Sequence, residues 1–173
     1  MILKRIPVGS YMANCYIFGD KKTKEVIIID PGDEQHKIFD VIENGGYIVK
    51  GITFTHSHFD HVSALEAVKE RYNVPVIRDG ETFKVGDIIL EIIETPGHSL
   101  DGLSFYGKGV VFTGDTLFHM SIGRTDLPTG NLEQLQASVR RLYTLPDNTT
   151  VYPGHGIRTT IGYEKKNNPY VRE

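Results

Sequence analysis

The 173-residue chain carries a net charge of −3 with 39% hydrophobic and 24% charged residues, which fits one folded domain able to bury a core. Lys and Arg are dispersed rather than gathered in a stripe, which argues against a nucleic-acid partner, and no stretch reaches the ~20 apolar residues of a membrane span. The only cysteine, Cys15, excludes an internal disulfide and suits a reducing, cytoplasmic setting.

The opening segment MILKRIPVGSYMANCYIF is interrupted by Pro7, Gly9 and Asn14, too broken for the apolar heart of a signal peptide. EVIIID (25–30) reads as a buried strand that stops at Pro31 and Gly32. Ile38, Val41 and Ile42 make one apolar face of a short helix closed by Gly45 and Gly46. YIVKGITFT (47–55) is strand-like, and Ala64, Leu65, Val68 and Tyr72 give a helix from His61 to Tyr72. VPVI (74–77), DIILEIIET (87–95), LSFYG (103–107) and VVFTG (110–114) read as further strands. Asn131, with Gln134 three residues on, caps a helix expected to bury Leu132, Leu135, Val139 and Leu142. TVYPG (150–154) is the last expected strand. The mixture predicts layered α and β elements in one domain, 1–173, and leaves open whether the strands form one sheet or two.

Within this frame, THSHFDH (55–61) packs three histidines and an aspartate into seven residues. Its partners repeat one construction, an apolar strand, a Thr, Gly or Pro turn, then a side chain able to bind metal. GITFT leads to His56 and His58, EIIETPG to His98, VVFTG to Asp115 and TVYPG to His155. Open α/β sheets place binding groups beyond the carboxyl ends of their strands, so these residues are expected on one rim. His56 and His58 differ by two, so an extended chain points both the same way. Asp60 and His61 fall where a helix begins. Counting ligands gives two sites: His56, His58 and His98 for a first metal, and Asp60, His61 and His155 for a second, with Asp115 bridging. Imidazole and carboxylate suit divalent ions, zinc first, with iron or manganese as alternatives. A lone HxH is usually two surface histidines; HxHxDH with three strand-end partners is a far narrower pattern.

Other residues receive plainer readings. His36 is a solvated helix residue, and His119 a loop histidine. Tyr11 and Tyr16 are packing aromatics, and the KK and EKK runs are charged surface. Arg124 is a candidate for a substrate carboxylate, in even competition with an ion pair to Asp126.

Several segments together resemble the metallo-β-lactamase fold superfamily, most of all its glyoxalase II (hydroxyacylglutathione hydrolase) branch and that branch's short bacterial members. They are IIIDPGD (27–33), THSHFDH, TPGHS (95–99), FTGDTLF (112–118), SIGRTDLP (121–128), PGHG (153–156) and TTIGYEKKNNP (159–169). HxHxDH is shared across the superfamily, whereas SIGRTDLP and the ending after PGHG favour the glyoxalase-like branch. The resemblance implies a four-layer αββα sandwich with the metals in a groove at one edge of two packed sheets. It implies the same ligand assignment, and a role for Asp30 in supporting a ligand from behind; spacing alone makes Asp30 a turn aspartate. Longer glyoxalase II enzymes carry a C-terminal helical extension that helps hold glutathione, and no such extension is expected here. Where that family has a glutathione-contacting tyrosine, a lysine and another tyrosine, this sequence has Ile157, Arg124 and Asp126. These departures leave the thiol carrier open.

The reaction expected of this set is hydrolysis of a thioester, S-(2-hydroxyacyl)glutathione or a related acyl thioester, as the small-molecule partner. Metal lowers the pKa of bound water from 15.7 to ~7, so hydroxide is available at neutral pH to attack the acyl carbon. Asp60 is placed to orient it. Thiols titrate near ~8.5, so the departing thiolate needs little protonation. Rival readings on the same fold are a mononuclear iron persulfide dioxygenase and a lactonase or β-lactam hydrolase; common lactamases often have cysteine where Asp115 stands. A tRNA-maturing nuclease wants a basic surface and a further arm, and a non-catalytic metal-binding module leaves the surplus of ligands unexplained.

Overall fold

A computed structural model describes residues 1–172; the chain divides into two compact units, one beginning at Met1 and ending at Glu91, the other beginning at Ile92. In the first, β1 (Ile2–Val8) and β2 (Ala13–Gly19) form an antiparallel hairpin, β3 (Glu25–Ile29) pairs antiparallel with β2, and β4 (Ile48–Thr53) pairs parallel with β3. Parallel pairing demands a crossover, and α1 (Gln35–Gly45) supplies it. The helix buries Ile38 and Ile42 and ends as its glycines predict: Gly46 turns left-handed and its N–H caps Glu43 O and Ile42 O. Every residue of β2 is buried, which explains why a segment broken by Pro7, Gly9 and Asn14 still forms strands. Gly9 and Met12, both at positive φ, make the tight turn between β1 and β2.

The expected 61–72 helix is two pieces, α2 (Phe59–Val62) and α3 (Leu65–Tyr72). The chain bends between them, and Ala64 N–H donates to Pro31 O at 3.0 Å, outside any helix. VPVI is not a strand: its ladder pairing with β4 is an isolated Ile52–Val76 bridge. Pro75 offers no N–H to a ladder, only its carbonyl, which accepts from Ile52. β5 (Thr82–Val85) and β6 (Ile88–Glu94) form a further hairpin.

In the second unit β7 (Leu103–Gly107) and β8 (Val110–Gly114) match their predicted bounds and meet at a two-residue turn, Lys108 and Gly109, both at positive φ. β9 (Leu117–Phe118) and β10 (Ser121–Ile122) make a small hairpin. Next come α4 (Leu132–Leu142), β11 (Thr150–Pro153), β12 (Thr159–Thr160) and α5 (Ile161–Asn167). TVYPG is therefore not the last strand, because β12 returns antiparallel to β11. Asn131 Oδ1 accepts from Gln134 N at 3.0 Å, the expected cap. Leu135, Val139 and Leu142 are buried with Val111, Val151 and Ile161, but Leu132 is half exposed, since the first turn of α4 carries it off the packed face. β11 runs parallel to β8 with Pro153 opposite Gly114, so the residues that follow the two strands emerge at the same end. No helix among the described residues is long and apolar enough to cross a membrane.

Candidate metal centre

In the first unit the turn after β4 carries the histidine-rich loop. His58 is the extended residue before α2, and Asp60 and His61 sit in that helix's only turn. The rings of His56 and His58 lie 4.6 Å apart, and those of His56 and His61 4.2 Å. Ligand atoms of His56 and His58, of His56 and His61, and of Asp60 and His61 all approach within 4.8 Å.

Behind this loop stands Asp30, which is almost wholly buried and at φ 53°, a left-handed conformation that aspartate tolerates better than most residues. Its Oδ1 accepts from Thr55 N at 2.6 Å, and its Oδ2 from the Thr55 hydroxyl at 2.8 Å. The same Oδ2 lies 3.0 Å from His61 Nδ1. A carboxylate has no proton to give, so His61 Nδ1 is the donor. Thr55 spends its proton on Asp30, so its oxygen accepts from His56 Nδ1 at 3.1 Å. Both rings therefore carry hydrogen on Nδ1, which in the neutral imidazole leaves Nε2 as the nitrogen able to bind a metal. Gly32 completes the DPG turn: a Cβ there would stand 1.8 Å from Asp60 O.

The second unit holds His98, Asp115 and His155. His98 Nδ1 faces Arg124 O at 2.8 Å, and a carbonyl only accepts, so this ring too leaves Nε2 with its lone pair. Asp115 and His155 follow the parallel strands β8 and β11, whose ends are tied by Gly154 N to Gly114 O at 2.8 Å. Asp115 Oδ2 lies 3.6 Å from His98 Nε2 and 3.6 Å from His155 Nε2. Gly123 packs behind both: a Cβ would meet Asp115 O at 1.9 Å and His98 Nδ1 at 3.1 Å.

These distances test the fit of a divalent ion. His98 Nε2 faces Asp115 Oδ2 at 3.6 Å and His61 Nε2 faces Asp60 Oδ2 at 3.7 Å, nitrogen and oxygen turned toward each other beyond hydrogen-bond reach. Two ligands each ~2.1 Å from a tetrahedral zinc lie about 3.4 Å apart. The donor set suits such an ion in both chemistry and spacing.

The remaining candidates fall out as follows. The Arg124 side chain is engaged by Asp126 through two hydrogen bonds of 2.6 Å, both groups being exposed. His36 is exposed on α1, and Tyr16 is buried in β2, as expected. Tyr11 is mostly exposed and meets Phe59 edge-on at 5.2 Å. Burial, and secondarily the charge of Asp30, pushes the Cys15 thiol well up. Glu164 corrects the reading of EKK as surface, because it is fully buried. His119, in the β9–β10 turn, stacks on Tyr163 and faces Glu164 at 3.4 Å. Sequence reasoning missed Thr55, Gly123 and the Arg124 carbonyl. Thr55 and Gly123 stand inside quoted motifs, whereas a backbone carbonyl leaves no trace in residue identity.

A family model of the metallo-β-lactamase superfamily matches residues 8–84 and 73–155. Among curated proteins, the chain is 34% identical to hydroxyacylglutathione hydrolase GloC of Haemophilus influenzae, covering 99% of this chain and 98% of that one. It is 35% identical to probable metallo-hydrolase YqgX of Bacillus subtilis, covering 97% and 96%. Among solved structures, BLEG-1 B3 metallo-β-lactamase superposes with a TM-score of 0.94 at 30% identity, covering 99% of this chain and all of that one. ETHE1 from Myxococcus xanthus gives 0.91 at 33%, covering 98% and 84%. TTHA1623, in a di-iron-bound form, gives 0.88 at 31%, covering 97% and 100%. The mixed α/β, multi-sheet fold is that of these proteins. The chain belongs to the metallo-β-lactamase superfamily, a family of metal-dependent hydrolases, and its likeness to GloC is consistent with the glyoxalase II-like branch.

Proposed function

We propose that the protein hydrolyses an acyl thioester, S-(2-hydroxyacyl)glutathione or a relative of it, with two divalent metal ions held by His56, His58, His98, Asp60, His61, His155 and a bridging Asp115. The observation that carries this reading is the single oxygen of Asp115 standing 3.6 Å from two separate imidazole nitrogens, as a shared ligand would. GloC, named a hydroxyacylglutathione hydrolase, supports the substrate class. Zinc is the first expectation, and the di-iron form of TTHA1623 makes iron the main competitor.

Bound metal would supply a hydroxide-strength nucleophile at neutral pH and positive charge for a developing oxyanion. The chain's own residues do the rest. Asp60 accepts a hydrogen from the attacking water and so turns its lone pair toward the acyl carbon. Asp30 and Thr55 hold His61 and His56 as Nε2 donors, and Arg124 O does the same for His98. No side-chain nucleophile takes part.

A second reading, hydrolysis of a β-lactam or lactone ring, draws on the likeness to BLEG-1. A persulfide dioxygenase with one iron is the third; it would leave Asp60 and His61 without a task. Native protein is analysed for metal and assayed with S-lactoylglutathione, a lactone, a β-lactam, and a persulfide with oxygen uptake recorded. Thioester turnover is expected, abolished by chelation and restored by zinc or iron. Turnover that survives complete metal removal, or oxygen uptake without thioester cleavage, would sink the proposal.

A further inference from the structure

We propose that Glu164 is a positioning residue for the metal ligands of the second unit: its buried carboxylate locks the 119–124 segment, which in turn fixes His98 and seats Asp115. The inference rests on the reading of these two residues as ligands.

A carboxylate remote from water is costly unless donors surround it, and Glu164 has them. Oε1 accepts from the Thr159 hydroxyl at 2.6 Å and lies 3.4 Å from His119 Nδ1. Oε2 accepts from Met120 N and from Asn168 Nδ2, both at 3.0 Å. Asn168 Nδ2 also donates to Ser121 O at 3.1 Å. One carboxylate therefore holds Met120 directly and Ser121 through Asn168. Met120 sits at φ 56°, a conformation a methionine seldom adopts, so the turn needs such a hold.

From this lock to the ligands is a short step along the chain. Ser121 and Ile122 form β10, and Gly123 follows, pressed against the Asp115 carbonyl with no room for a methyl group. Arg124 comes next, and its carbonyl takes the His98 Nδ1 proton. A shift of the 120–122 turn is thus passed within two residues to both ligands. The anchoring of α5 uses different atoms: Tyr143 donates to the main-chain carbonyl of Glu164, a bond that survives any side-chain change. The helix therefore keeps one hold on the core that does not pass through the carboxylate.

Glutamine in place of Glu164 keeps one carbonyl oxygen for Met120 N and Asn168, and its amide can donate to the Thr159 hydroxyl, which accepts as readily as it donates. Glu164→Gln should therefore rescue what Glu164→Ala loses. The test uses the zinc-loaded full-length chain, with NMR exchange rates of the histidine Nδ1 protons and zinc affinity from chelator competition. In Glu164→Ala the His98 Nδ1 proton should exchange at least about tenfold faster, and zinc affinity should fall roughly tenfold. His61, held by Asp30, should be unchanged, and Glu164→Gln should match the wild type. Should Glu164→Ala fail to fold, Asn168→Ala, which cuts the tie to Ser121 O, carries the test with the same His98 readout. An unaltered His98 proton in whichever of these variants fold would overturn the proposal. So would equal acceleration at His98 and His61, which signals general loosening. If the wild type takes up no zinc, the functional reading fails separately, and the His98 proton of the metal-free chain still decides the role of Glu164.

Discussion

His56 and His61 in the first unit and His98 in the second are held by opposite means. For the first two, side chains do it: Asp30 gathers Thr55 and His61, and Thr55 passes the hold to His56. For His98 the main chain does it: the Arg124 carbonyl orients the ring, and bare Gly123 lets that carbonyl approach. A ligand held by a side chain is lost when one residue changes. A ligand held by a carbonyl is indifferent to the side chain on that residue and sensitive to anything that moves the backbone.

The largest expected effect comes from deleting the side-chain anchor. Asp30→Ala strands the Thr55 N–H, the Thr55 hydroxyl and His61 Nδ1 in a buried setting, each unsatisfied group costing ~1–3 kcal/mol. Stability should fall by about 3–5 kcal/mol, a drop in Tm on the order of 10 °C, with zinc affinity down ~10–100-fold. Asp30→Asn keeps the shape and the left-handed backbone and should lose less. A thermal melt and a zinc titration decide it; an Ala variant equal to wild type in both would mean that Asp30 is only a turn residue.

The main-chain mode is tested by adjacent substitutions with opposite expectations. Gly123→Ala places a methyl 1.9 Å from Asp115 O, so the backbone must move, carrying Asp115 and His98 with it. A displacement approaching 1 Å should lower kcat by up to ~100-fold. Arg124→Ala leaves the carbonyl in place, and zinc affinity should stay within about twofold, since only an exposed ion pair is lost. If Arg124→Ala weakened zinc by about tenfold or more, the carbonyl alone would not be what orients His98.

The same contrast explains what the sequence showed and what it hid. His56, His58, Asp60 and His61 stand out because four metal-competent residues share one local loop. His98, Asp115 and His155 enter the proposed ligand set through the repeated strand-then-turn pattern, and the parallel pairing of β8 with β11 gives that pattern its physical sense for Asp115 and His155. Asp30 needed the family resemblance, because a DPG turn looks the same whether or not its carboxylate points inward. Glu164 was misread because a Glu beside two lysines has the composition of a solvated face, and only the fold turns it inward. VPVI failed through Pro75, and β1 and β2 were overlooked because turn residues within them masked strands buried by their neighbours.

The smallest effect concerns Arg124 itself. Its guanidinium grips both oxygens of Asp126 and, chiefly through those hydrogen bonds, holds that carboxyl down at about 2. A depressed carboxylate pKa means the pair's contribution is complete above the ordinary ~3.9 and is lost as pH falls through about 2, so nothing changes near neutrality. Arg124→Ala should let Asp126 return toward ~3.9, read from its carboxyl carbon by NMR. A substrate carboxylate that used Arg124 would have to compete with Asp126. Asp126→Ala should then lower KM for a carboxylate-bearing thioester by a factor of about 2–5, the scale of one exposed ion pair, and leave a neutral thioester untouched. An unchanged KM for the carboxylate-bearing thioester in that variant would remove Arg124 from substrate recognition and leave its carbonyl as its contribution to the site.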